Sequence, residues 1–140
     1  MTDEVSIAIA LLAIRLLAGI LFFFQGYDKL FSLKTEGVLR AFADSLLQRK
    51  IPLPLARISI QISSFIEFAG GLLLVFGLFR EPVLYFLTAN MLCVAFTFSF
   101  LKPMWDMNYF FSRFVLLAVL LLLPAEWDNF SLAHLFSVAK

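Results

Sequence analysis

Long apolar runs, separated by short polar breaks, dominate the pattern of the chain. A helix that crosses a bilayer needs about 20 apolar residues, and four runs are long enough to approach that length. The expected spans are about 5–31, 55–79, 82–101 and 108–123. Pro82 favours a helix start at the third run, because proline is common in a first helical turn. We therefore expect an all-α, integral membrane four-helix bundle.

The first connection is the longest, and it carries an amphipathic pattern of its own. In "KTEGVLRAFADSLLQRK" apolar residues recur at helical spacing, opposite Arg40, Asp44 and Gln48. The apolar positions are Val38, Leu39, Phe42, Leu46 and Leu47. This spacing predicts a short helix over about 35–49 that lies on the membrane surface. A helix packed over the end of the bundle fits the same pattern equally well.

Composition narrows the function classes. Of the 140 residues, 62% are hydrophobic and 15% are charged, against about 25% charged residues in soluble domains. We expect one membrane domain over 1–140, and the dispersed basic residues give no support for nucleic-acid binding. The lone cysteine, Cys93, excludes a disulfide or thiolate iron–sulfur site within the chain, and the lone histidine, His134, excludes a bis-histidine haem. We expect no metal site, so an electron carrier here would be an organic cofactor or a quinone.

The distribution of lysine and arginine predicts orientation. The side with both termini and the "REP" turn carries two basic residues, Arg80 and Lys140, whereas the first and third connections carry most of the others. The positive-inside rule then puts those two connections in the cytoplasm and both termini outside, in a bacterial-type inner membrane. The N-terminus "MTDEV" is acidic and lacks the positive region of a secretory signal, so we expect the first span to be retained.

Three polar residues lie within the predicted spans. Arg15 falls about 15 Å below the start of the first span, and Glu67 falls about as far from the start of the antiparallel second span, at about 1.5 Å per residue. Asn90 of the third span reaches the same depth. Since an unpaired arginine at the bilayer centre costs at least about 2.5 kcal/mol, we hypothesise an Arg15–Glu67 ion pair supported by Asn90.

A second polar layer is predicted nearer the cytoplasmic side. Its members are Gln25, Lys29, Gln61 and Arg113. Small residues follow the same helix faces, where they allow close helix packing. These are Gly19, Gly26, Gly70 and Gly71. The two polar layers have two equally weighted interpretations, which are hydrogen bonding that fixes helix packing and a ligand site.

The order of these features resembles the DoxX family of small four-helix membrane proteins. The stretch "RLLAGILFFFQGYDKLFS" matches the family's first-span arginine, glycine and Gly-x-x-Lys at Arg15, Gly19, Gly26 and Lys29. The stretch "EFAGGLLLVFG" matches the second-span pattern at Glu67, Gly70, Gly71 and Gly77. One departure is Ala133, which stands where many relatives have aspartate after Ser-Leu.

The resemblance implies a small membrane subunit that serves an oxidoreductase system beside a quinone. On that reading the chain is an accessory or anchoring subunit that is not catalytic alone, and its partners are the lipid bilayer and a membrane or peripheral redox protein. One alternative is a lipid or hydrophobic-ligand binding or transport protein, which would require a homo-oligomer because four short spans are few for a transporter. Another is a non-catalytic assembly factor, in which the intramembrane charges only fix helix register.

Overall fold

The computed structural model of the chain describes residues 2–101 and 108–138, and all of its regular elements are helices. The long helices are α1 (Thr2–Tyr27), α4 (Leu53–Phe76), α5 (Arg80–Leu101) and α6 (Asn108–Leu122). The short ones are α2 (Lys34–Ala41), α3 (Ala43–Gln48) and α7 (Leu132–Val138). A π-helical segment, Asp28–Ser32, continues α1, and a 3₁₀ turn, Ala125–Trp127, follows α6. The third connection, 102–107, lies outside the described residues.

The four long helices pack in a ring, in which α1 contacts α4 and α6, and α5 contacts α4 and α6. One apolar core runs between them, with buried side chains from all four helices. It contains Leu11, Ala18, Phe22, Leu74, Val83, Leu84, Leu87, Met91, Leu117 and Leu120. Each of the four helices also carries buried polar or charged side chains, among them Arg15, Glu67, Asn90 and Arg113.

Three helices are long and apolar enough to cross a membrane, and a shorter apolar helix lies at Phe110–Leu122. The three are Glu4–Ser32, Leu53–Phe76 and Arg80–Leu101. Large apolar side chains also cover the outside of these helices, as in Phe65, Phe86 and Phe96. So much exposed apolar surface is unfavourable in water and suits contact with lipid.

Helix ends differ from the predicted spans at the turn between α4 and α5. The helix α4 ends at Phe76 rather than at residue 79, because Gly77 adopts a left-handed conformation (φ 67°) that terminates it. The helix α5 then starts at Arg80, two residues before the predicted proline start.

The first connection contains two short helices rather than the single expected helix over 35–49. The break is at Phe42 (φ −111°), whose ring packs edge-on against Phe98 of α5. The buried side chains of α2 and α3, Leu39 and Leu46, form a second apolar cluster with Ala56 of α4. The amphipathic face therefore packs on the end of α4.

Candidate functional site

Arg15 is almost fully buried, at 1% exposure, where α4 ends. Its Nη1 donates hydrogen bonds to the carbonyl oxygens of Leu74 (2.8 Å) and Val75 (2.7 Å). The last carbonyls of a helix lack partners within the helix, so Arg15 caps the C-terminus of α4. A cation also interacts favourably with the negative end of the helix dipole there.

Arg80 of α5 caps the C-terminus of α6 in the same way. Its Nη2 donates to the carbonyl oxygens of Leu120 (2.7 Å) and Leu123 (2.9 Å), and its Nη1 donates to that of Pro124 (3.1 Å). Two helices thus end at the same side of the ring, each capped by an arginine from a neighbouring helix. The two guanidinium groups replace the water that would solvate these carbonyls at an exposed helix end.

The counter-ion of these arginines is Asp128, which is 3% exposed. Its Oδ2 lies 3.2 Å from Nε of Arg15, and its charge also acts on Arg80. Arg15 Nη2 donates to the carbonyl oxygen of Phe130 (3.1 Å), which fixes the segment after α6 against α1. We call Arg15, Arg80 and Asp128 the helix-end cluster.

The predicted Arg15–Glu67 pair is therefore wrong, because Arg15 and Glu67 lie at different levels. A Cβ on Gly19 would contact Val75 at 2.8 Å, and one on Gly26 would overlap the backbone of Phe68. Glu67 is thus level with Gly26, which is 11 residues, or about 16 Å at 1.5 Å per residue, from Arg15. The glycine contacts, rather than the ends of the apolar runs, set the register of α1 on α4.

Glu67 instead pairs with Lys29, and its side chain is completely buried. Lys29 Nζ donates to Oε2 at 2.6 Å, and Lys29 remains 27% exposed. The other carboxylate oxygen, Oε1, has no hydrogen-bond donor among the described residues. Lys29 lies on the π-helical segment, a feature often found at functional sites.

Two further helices bring polar groups to the same level. Arg113 of α6, which is 8% exposed, donates to Oε1 of Gln25 on α1, and the charge of Glu67 acts on Arg113. Asn90 of α5 is 7% exposed, and its Nδ2 has no acceptor among the described residues. We call this set the polar layer. It consists of Gln25, Lys29, Glu67, Asn90 and Arg113.

Asn90 lies opposite Glu67 by helix geometry. A Cβ on Gly70 of α4 would contact Leu87 of α5 at 2.9 Å. Glu67 is one turn before Gly70, and Asn90 is one turn after Leu87 on an antiparallel helix. Residues three apart share a helix face, so both side chains lie on the facing sides of α4 and α5.

The structure brings most of the predicted polar residues together, but it divides them between two sites differently from the two predicted layers. Glu67 and Asn90 join Gln25, Lys29 and Arg113 in one layer, whereas Arg15 belongs to the helix-end cluster. Gln61 is exposed on the outer side of α4, off the face formed by Ser64, Glu67 and Gly71. The sequence pattern did not predict that Arg80 and Asp128 are buried with Arg15 in the helix-end cluster. The need of helix C-termini for hydrogen-bond donors is the signal that points to Arg80.

The glycines predicted for helix packing contact neighbouring helices or turns. A Cβ on Gly71 would overlap the backbone of Phe23, and one on Gly77 would lie 2.8 Å from Arg15 Nη1 and 2.6 Å from Ser131 Cβ. Larger residues at these positions would separate α1 from α4 or displace Arg15. The helix contacts on which the polar layer and the helix-end cluster depend therefore require glycine.

A cleft of about 300 Å³ lies near the helix-end cluster. It is lined by Glu4, Ile7, Glu126, Trp127 and Asn129. This cleft lies at the opposite end of α1 from the polar layer and shares none of its residues.

Comparison with known proteins gives the family. No curated protein matches the chain, and no solved structure matches it. The DoxX family model matches residues 10–99, which include Arg15, Lys29, Glu67 and Asn90. That match covers more than half of the chain and confirms the resemblance seen in its motifs. The chain therefore belongs to the DoxX family.

Proposed function

We propose that the chain is a four-helix membrane subunit of a quinone-linked redox system, and that the polar layer is its functional site. In this role it is an accessory or anchoring subunit, and the electron-transfer chemistry belongs to a partner protein. Family membership and the apolar helices support the membrane assignment. The alternatives are a lipid-binding protein and an assembly factor.

One observation carries the proposal. Glu67 is fully buried, yet only one of its two carboxylate oxygens has a hydrogen-bond partner. Leaving a buried charged acceptor unpaired costs more than a hydrogen bond contributes. Buried polar groups usually have partners, and Asn90 on the facing helix adds an amide nitrogen at the same level that is unpaired within the described part of the chain. The free oxygen therefore favours a site that receives a ligand.

The test is gentle purification from the native membrane, followed by mass spectrometry of bound proteins, quinones and lipids. We expect a quinone and a redox protein to co-purify with the wild-type chain. The Glu67→Gln variant should lower the redox activity of the membrane. Gln61→Leu is the matched control, because Gln61 lies on the same helix but faces outward, and it should behave as wild type.

Two results would overturn the proposal. The first is the absence of any bound quinone together with unchanged redox activity in the Glu67→Gln variant. The second is a stoichiometric phospholipid in place of the quinone, which would favour lipid binding. If a double Lys29→Met and Glu67→Leu variant, which removes both members of the buried ion pair, remained fully functional, the assembly-factor alternative would be supported.

We also propose that α1, α4, α5 and α6 span the inner membrane, with α2 and α3 at its cytoplasmic surface. Exposed cations on the α2–α3 side, Lys34, Arg40 and Lys50, support this orientation under the positive-inside rule. In a Cys93→Ala background, a membrane-impermeant thiol reagent should label Asn129→Cys but not Lys50→Cys in intact cells. The reverse labelling would invert the orientation.

A further inference from the structure

Among the described residues, two unpaired polar atoms belong to side chains on the facing sides of α4 and α5. Glu67 Oε1 is a hydrogen-bond acceptor without a donor, and Asn90 Nδ2 is a donor without an acceptor. Both residues are more than nine-tenths buried. The two atoms do not bond to each other, so each requires a partner that the described residues do not supply.

The ion pair between Glu67 and Lys29 determines what such a partner must offer. The ammonium group of Lys29 is 2.6 Å from Oε2, and Arg113 is a second cation that interacts with the same carboxylate. A carboxylate that is paired with an ammonium group in this way accepts hydrogen bonds and donates none. The side-chain amide nitrogen of Asn90 only donates. A complementary ligand must therefore donate to Glu67 and accept from Asn90.

A hydroxyl group meets both requirements with one atom. Its proton is donated to Glu67 Oε1, and its oxygen accepts a hydrogen bond from Asn90 Nδ2. A quinone carbonyl meets one requirement only, because it accepts from Asn90 but brings a second lone pair towards the carboxylate. Sites built to hydrogen-bond a hydroxyl reject analogues that lack it, since buried polar groups are then left unpaired.

We propose that the Glu67–Asn90 site binds the hydroxyl head group of a quinol in preference to the carbonyl of the corresponding quinone. This inference rests on the proposed function and adds the redox state of the ligand to it. Glu67 sets the preference between the two forms. Asn90 contributes to the affinity for both, because both forms have an oxygen that accepts from its amide.

The experiment measures binding of a short-chain ubiquinol and the matching ubiquinone to the full chain in lipid nanodiscs. We expect the quinol to bind at least about tenfold more tightly, a factor that corresponds to about 1.4 kcal/mol. Because the reduced form is bound more tightly, the midpoint potential of the bound two-electron couple should rise by about 30 mV for each tenfold preference. The potential gives a second readout on the wild-type protein alone.

The variants separate the roles of the two residues. In Glu67→Gln the amide offers a donor to the quinone carbonyl, so the preference should fall to near one. In Asn90→Leu the affinities for quinol and quinone should fall by similar factors, and the preference should persist. Gln61→Leu should change neither quantity.

The outcomes distinguish this inference from the proposed function. Equal affinity of the wild-type chain for quinol and quinone overturns the inference and leaves the proposed function standing. If neither form binds, both fail. Nanodiscs with and without phosphatidylglycerol test the hydroxyl groups of a lipid head group as a second source of the same chemistry. Displacement of the quinol by that lipid would overturn the assignment to a quinol.

Discussion

Arg15 of the helix-end cluster directs three hydrogen bonds to backbone carbonyl oxygens, whereas Lys29 of the polar layer donates to a side-chain carboxylate. In the first region the guanidinium groups complete two helix ends and hold the segment after α6. In the second, one helix presents a carboxylate oxygen and another an amide nitrogen that no described residue satisfies. Buried charge thus serves helix termination in one place and belongs to the proposed ligand site in the other.

The helix-end cluster should be the more sensitive region for stability. Removing one partner of a buried ion pair usually costs about 3 to 5 kcal/mol, because the other charge remains buried. Arg15→Met also leaves the carbonyl oxygens of Leu74 and Val75 without their donor. We expect a loss of about 3 kcal/mol in the free energy of unfolding, measured by chemical denaturation in detergent micelles.

Arg40→Met is the control for Arg15→Met, because Arg40 is an exposed arginine of α2, and it should have little effect. Arg15→Met should also leave the preference for quinol over quinone unchanged. A variant that kept its stability but lost this preference would place Arg15 in the ligand site and break the distinction between the two regions.

The close contact of α1 with α4 sets the separation between the helix-end cluster and the polar layer. Among the described residues, this contact is closest at Gly26 and Gly71. A methyl group in Gly71→Ala would overlap the backbone of Phe23 and lie 2.8 Å from the carbonyl oxygen of Gly19. Overpacking of this kind costs about 1 to 3 kcal/mol. Thermal unfolding in detergent should show the loss.

Gly37→Ala is the matched control, because the nearest atom to its new methyl group is a side-chain carbon of Leu33, at 3.3 Å. It should be close to neutral. Equal effects of the two alanine substitutions would mean that α1 can move on α4, so that the levels of Arg15 and Glu67 are not fixed by the glycines.

Within the polar layer, substitutions of Lys29 and of Glu67 should lower the free energy of unfolding by different amounts. Lys29→Met leaves the fully buried carboxylate of Glu67 without its ammonium partner, which should lower stability by about 2 kcal/mol. Glu67→Gln leaves Lys29, which is 27% exposed and can turn towards solvent, so we expect a loss below about 1 kcal/mol. Denaturation of both variants in the same detergent measures this asymmetry. Equal losses would contradict the assignment of Glu67 as the desolvated member of the pair.

The exposed pair of Glu36 and Arg57 should matter least. Its Oε1 to Nη2 distance is 2.7 Å, but both side chains are more than half exposed. Surface ion pairs contribute about 0 to 1 kcal/mol and are screened by salt. Glu36→Gln should therefore change stability by less than about 0.5 kcal/mol, and a larger loss would indicate that α2 depends on this contact for its position on α4.

Much of the architecture follows from the sequence, since the apolar runs are long and their breaks contain proline or glycine. The position of Glu67 opposite Asn90 also follows from the sequence, because the short turn between α4 and α5 limits how far the two helices can shift along each other. The partner of Arg15 could not be predicted from its estimated depth in the membrane. Its level depends on how far α1 slides along α4, and only the interlocking backbones at Gly19, Gly26 and Gly71 determine that.

The helix-end cluster is harder to read from sequence for a second reason. The acceptors of Arg15 and Arg80 are backbone carbonyl oxygens, which every residue has, so no residue type marks them. Asp128 lies outside the predicted spans, in a stretch with little periodicity. Its burial becomes evident only when the chain after α6 is seen to turn back over α1.

The π-helical segment at Asp28–Ser32 determines how this part of the chain would tolerate the deletion of one residue. A π-turn accommodates one residue more than an α-turn, so this segment acts as a one-residue insertion between α1 and α2. Deletion of Leu30 would remove the extra residue and restore α-helical spacing, so the residues after it would keep their faces on the bundle. A deletion inside α1, where no turn is widened, would instead rotate the residues after it by about 100° and turn the face of α2 that carries Leu39 away from α4.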